Sequence, residues 1–175
     1  MEATNLLVVL GVTLIPLAVG FIWYNPKIGF GKAWMQASGM TEENARGANM
    51  TLVFGLTILL SFFIAFGMHL IVIHQIHVMA ILTNQADSHT AGSESITMLN
   101  RFMELYGNSY RTFRHGAFHG TLAGIMLAIP ILGVPALFER KSFKYVAING
   151  GFWVVSMALM GGIICAFHHA SIPQM

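Results

Sequence analysis

The chain alternates long apolar runs with short polar interruptions. Leu6 to Tyr24, Met50 to Leu82, Ala117 to Phe138 and Val146 to Phe167 are almost free of charge, and each is long enough to cross about 30 Å of hydrocarbon as a helix. Lipid offers no partner to backbone N–H and C=O groups, so such runs must be helical. The strict alternation of a β-barrel strand is absent. The pattern predicts an all-α polytopic membrane protein with four transmembrane helices, over about 6–24, 50–82, 112–138 and 144–168, forming a single domain across 1–175. The second run has 33 residues; as a helix it would reach roughly 50 Å and would have to tilt or project beyond the bilayer.

The interruptions predict short interfacial helices. Helix one carries Pro16 in mid-run and ends in Phe21-Ile22-Trp23-Tyr24 before Asn25-Pro26, an aromatic belt followed by a helix breaker. Phe30, Trp34 and Ala37 share a face opposite Lys32, which predicts a helix lying flat on the membrane and stopped by Gly39. Thr41 then caps a further turn beginning with Glu42 and Glu43. In the polar segment of about 83–111, Ile96, Leu99, Phe102, Met103 and Tyr106 line one face of a surface helix that Gly107 can end. Pro130 and Pro135 predict a bend in helix three.

Composition agrees with this pattern, at 55% hydrophobic and 9% charged residues, against roughly 25% charged in soluble domains. The net charge of +2 does not indicate a nucleic-acid partner, because the nine Lys and Arg are scattered among loops rather than clustered. They do set an orientation. Lys27, Lys32, Arg46, Arg140, Lys141 and Lys144 fall on one side and Arg101, Arg111 and Arg114 on the other, so the positive-inside rule turns both termini and the histidine-bearing loop outward. Glu2 is the sole charge before the first run, which therefore reads as a retained helix and not a cleaved signal. The single cysteine, Cys165, excludes an intramolecular disulfide and reads as a core residue.

Candidate chemistry is concentrated where a polar stretch enters helix three. His115 and His119 lie one turn apart on one face, while Gly116, Gly120, Gly124 and Ala128 form a second stripe of small residues. The histidines at the same membrane depth are His69, His74, His77, His168 and His169. Imidazoles gathered there could ligate a transition metal, hold a haem or relay protons. The metal candidates are His74, His77, His115, His119 and His169, with Glu104 available from the surface helix. The plainer reading makes them interfacial hydrogen-bonders, since no HExxH or paired CxxC motif accompanies them. The glycine stripe pairs with Ala158, Gly162 and Ala166 on helix four as a packing surface, within or between protomers. The helix cores hold no acidic residue, which argues against an ion-coupled transporter. No nucleophile elbow, P-loop or dinucleotide fingerprint appears, so no enzyme class is indicated.

Several motifs occur together: Gly20-Phe21-Ile22-Trp23-Tyr24-Asn25-Pro26, Phe30-Gly31-Lys32-Ala33-Trp34-Met35, His115-Gly116-x-x-His119-Gly120, Leu137-Phe138-Glu139-Arg140-Lys141-Ser142-Phe143-Lys144 and Ala158-Leu159-Met160-Gly161-Gly162. In this combination the chain resembles the domain-of-unknown-function 1761 family of small bacterial membrane proteins. The resemblance implies a multi-pass protein of the bacterial inner membrane and brings no catalytic residue with it. The sequence thus favours a non-enzymatic assembly or accessory component in contact with membrane lipid, as a homo-oligomer or part of a larger membrane complex. The alternatives are a histidine-based metal or haem site at the outer face and a passive carrier of a small solute.

The charge asymmetry makes a direct prediction. In a Cys165→Ala background, single cysteines at Ser38 and Ser142 should resist an impermeant thiol reagent in intact cells, and one at Ser88 should react. The opposite labelling pattern would invert the topology.

Overall fold

The structure is a computed structural model that describes residues 6–168. All its regular elements are helical. In chain order these are α1 (Leu6–Val12), α2 (Ile15–Trp23), α3 (Gly31–Ser38), α4 (Glu42–Arg46), α5 (Met50–Val72), α6 (Gln75–Thr83), α7 (Glu94–Tyr106), α8 (Phe113–Ala123), α9 (Ile129–Phe138) and α10 (Phe143–Phe167). A π-helical turn, Gly124–Ala128, joins α8 to α9. Four stretches are long and apolar enough to cross a membrane: Leu6–Trp23, Met50–Val72, Phe113–Phe138 and Phe143–Phe167.

Proline chemistry shapes two of the spans. Pro16 has no N–H for the carbonyl of Val12, and its ring would press on that carbonyl; the first span accordingly ends one helix at Val12 and restarts at Ile15. Thr13 satisfies part of the break by donating from Oγ1 to the Leu10 carbonyl at 2.6 Å. In the third span the widened π turn lies directly ahead of Pro130, whose missing N–H disturbs the same ladder. Each irregularity lies on the N-terminal side of its proline, whereas Pro135 sits inside α9 without interrupting it.

The predicted helix of 50–82 is two helices. Ile73 leaves helical geometry at φ −103°, ψ 86°, is fully buried, and α6 restarts at Gln75. The cause lies outside the run. Gln75 donates from Nε2 to the carbonyls of Tyr106 and Ser109 at 2.9 and 3.0 Å, and Met79 packs with Leu99 and Met103 of α7. Helix α6 is therefore aligned by α7 instead of continuing α5. Together α6 and α7 form a small hairpin with its own core at the histidine-bearing end of the bundle.

Around α10, the most deeply buried of the four spans, the others are arranged. The main core comprises Val9, Val12, Ala65, Met68, Val72, Ile73, Ala123, Met157, Met160, Ile164 and Cys165. The outward faces carry Leu59, Phe63, Ile131 and Phe138, all exposed, the surface expected against lipid. At the basic end, Trp23 donates from Nε1 to the Ile148 carbonyl at 3.0 Å, Tyr24 donates to Asn149 Oδ1 at 2.9 Å, and Lys141 reaches the Ser38 carbonyl at 2.9 Å. The aromatic belt thus serves the α2–α10 contact as well as the interface.

The tightest contact in the fold is between α8 and α10. A methyl group on Gly116 would strike the Gly161 carbonyl and lie 2.5 Å from Cys165 Cβ. One on Gly120 would strike the Met157 carbonyl and lie 2.8 Å from Ala158 Cα, and one on Gly124 would lie 2.6 Å from Val154 Cα. The facing stripe on α10 is therefore Val154, Met157 and Gly161, running into Cys165. The expected partners are offset: Ala158 only edges the contact at Gly120, and Gly162 instead makes room for the Phe113 ring, 2.6 Å from where its Cβ would be. The close approach lies within one chain.

Replacing Gly120 with Leu should hold α8 off α10 and cost at least about 1–3 kcal/mol, since the obstruction is backbone and cannot repack. Ile131→Ala, on a 69% exposed side chain, should leave thermal unfolding in detergent almost unchanged. Equal unfolding temperatures for wild type and Gly120→Leu would contradict the contact.

Candidate metal centre

Three of the predicted ligands converge. His74 stands at the N-cap of α6, at the hinge between α5 and the outer hairpin; His115 and His119 lie one turn apart in α8. The ring centroids are 5.1 Å apart for His74 and His115, 4.7 Å for His74 and His119, and 4.5 Å for His115 and His119. One ring nitrogen from each lies within 4.8 Å of the other two. The planes are steeply inclined, at 81°, 88° and 63°, so the rings do not stack. His74 is exposed, whereas His115 and His119 are half-buried. Nε2 of His115 is buried and has no hydrogen-bond partner.

The geometry of α8 explains this aim. Thr112 caps the helix, accepting from the His115 N–H on its side-chain oxygen at 3.3 Å. With Gly116 and Gly120 seated on α10, the residue preceding each lies about 100° back around the helix. That rotation turns His115 and His119 aside from α10 and towards the α6 hinge.

A buried polar layer holds the surroundings. Arg111, 8% exposed, donates from Nε to the Gly107 carbonyl and from Nη1 to the His168 carbonyl, both at 3.3 Å. Cys165 donates from Sγ to the Tyr110 carbonyl at 3.3 Å. Gln75, Arg111 and Cys165 together fix the 107–112 connection onto the bundle. Tyr110 there adopts a left-handed backbone, φ 62°, unusual for a residue with a Cβ, and its ring stacks on His115 at 5.2 Å and 30°. Beneath this layer His69 and His168, both almost fully buried, meet edge to face at 4.5 Å.

The remaining candidates lie elsewhere. His77 is exposed and outside the converging group, although its charge is felt at His74. Glu104 is turned to Arg101, with Nη1 to Oε2 at 2.8 Å. His169 lies outside the described residues. The His74 pKa is lowered from the ordinary imidazole value, first by loss of water around its ring, then by His119, His115, His77 and Arg111. The neutral, metal-binding form is thereby favoured.

Sequence reasoning assigned Arg111 to a loop and grouped His69 with the interfacial histidines. Arg111 instead belongs to a buried layer with Gln75, and His69 is buried beneath it. The available signal was an arginine next to the start of an apolar helix, where a charge must be exposed or fully bonded.

The chain belongs to the family described as Protein of unknown function (DUF1761), whose model matches residues 7–165. No curated protein and no solved structure matches it.

Gln75→Ala should leave the Ser109 carbonyl without its side-chain donor and cost about 1–3 kcal/mol. The loss should be local, read as faster amide exchange across 106–112 than across α10. Uniform protection in both segments would show that Gln75 does not fix the connection.

Proposed function

We propose that this family member is a multi-pass membrane protein built around a transition-metal site formed by His74, His115 and His119. The single observation that carries the reading is the convergence of three imidazoles from two separate segments, with their nitrogens within 4.8 Å of one another. A cluster of interfacial hydrogen-bonders would pair its buried nitrogens, yet His115 Nε2 is buried without a partner, a costly state unless something binds there. Imidazole donors suit zinc, copper, nickel or iron. Metal–nitrogen bonds of about 2.0–2.1 Å in a tetrahedral site require nitrogens about 3.4 Å apart, so the group draws in modestly on binding. A single ion fits better than a haem, because centroids 4.5–5.1 Å apart leave no gap for a macrocycle between any two rings.

Such a site would tie the α5–α6 hinge to α8 and so fix the outer hairpin on the bundle. The six-to-three bias of Lys and Arg supports a cytoplasmic basic end and an outward histidine end in a bacterial inner membrane. The glycine stripe is engaged inside the chain, so an assembly with further copies or other partners would use other surfaces.

Protein purified without chelator should contain about one equivalent of metal, and zinc or copper added to the apo form should raise its unfolding temperature. His119→Ala should abolish both effects while leaving the fold intact. Because protons compete for neutral imidazole, affinity should fall with decreasing pH. For His74 the folded pKa is the lower one, so the folded form loses stability as pH falls through the range between the unfolded and folded values. Metal-free protein whose unfolding temperature ignores zinc and copper would rule the site out.

A further inference from the structure

Building on the metal reading, we propose that the three-histidine centre keeps one coordination position open on its exposed side and takes a small anion there as an exogenous ligand. Charge provides the first argument. All three donors are neutral imidazoles, and among the described residues no carboxylate or thiolate joins the converging group. A divalent ion bound there keeps its full charge. Arg111, whose charge reaches His74, adds to the positive field.

Among the described residues no acidic side chain of this end belongs to the converging group, and Glu94 stands in the first turn of α7. Glu104 is paired with Arg101 at 2.8 Å, and Asp87 Oδ2 accepts the Ser95 N–H at 3.2 Å. The flanks are poorly polar, with the Tyr110 ring stacked on His115 and the Phe118 ring 5.5 Å from His119. An uncompensated dication beside such surfaces gains most from an anion in its own coordination shell.

Coordination number provides the second argument. Three protein ligands leave a tetrahedral ion with one vacant position, the arrangement in which external molecules bind. Of the three ligands His74 is the exposed one, whereas His115 and His119 are half-buried against the bundle. The vacant position therefore lies on the solvent side, at the histidine-bearing end of the bundle. The buried alternatives are occupied: Cys165 directs its Sγ to the Tyr110 carbonyl, and His168 packs against His69. The ligand class that fits is a small monovalent anion such as a carboxylate or a pseudohalide.

Cobalt(II) reports both parts of this account, because its visible absorption depends on coordination number and ligand type. The full chain in detergent, loaded with cobalt in chloride-free buffer, should show an intense tetrahedral band. Azide and acetate should each shift that band saturably, and His119→Ala should lose it. Failure of the wild-type protein to bind cobalt, zinc or copper would overturn the underlying metal site. A normal cobalt band unmoved by azide and acetate would overturn the open position alone.

Discussion

The close approach of α8 to α10 is the constraint on which the histidine end depends. Lipid contributes no hydrophobic drive between helices, so the contact must come from surfaces that let backbones meet. Gly116, Gly120 and Gly124 provide one, each seated where a methyl group would strike α10. With that face fixed, the rest of α8 is fixed too. His115 and His119 precede two of the glycines and are turned by the helical pitch towards the α6 hinge, where His74 waits. A helix that could rotate about its axis would not hold three imidazoles at centroid distances of 4.5–5.1 Å.

A second constraint acts at the membrane boundary. The connection entering α8 brings an arginine and several carbonyls into a layer with little water, and each polar group there needs a partner. Gln75 reaches Tyr106 and Ser109, Arg111 reaches Gly107 and His168, and Cys165 reaches Tyr110. These bonds join α6, the end of α7, the 107–112 connection and the end of α10. They make the outer hairpin part of the bundle despite its separate small core.

Much of this was legible in the sequence. The four spans follow from run length and the lack of charge, and Gly39 and Thr41 end and begin helices as their chemistry requires. The glycine stripe was visible as a four-residue repeat, and His115 with His119 as one face. The partner register on α10 was not, because Ala158 and Gly161 are both small residues and only the packed helices choose between them. The break at Ile73 was also hidden. The apolar pattern runs through it without change, and its cause is a glutamine whose partners lie 31 and 34 residues away. For the same reason sequence could not separate His74 from His77: both follow the same span, and only the hinge decides which ring meets α8.

The proposed metal site requires these three side chains to form one coordination sphere. X-ray absorption at the zinc edge of the loaded, full-length protein reads that sphere directly. The account predicts a shell dominated by three imidazole nitrogens at about 2.0–2.1 Å, with the outer-ring scattering that imidazole produces. A shell of oxygens without that imidazole signature would contradict it.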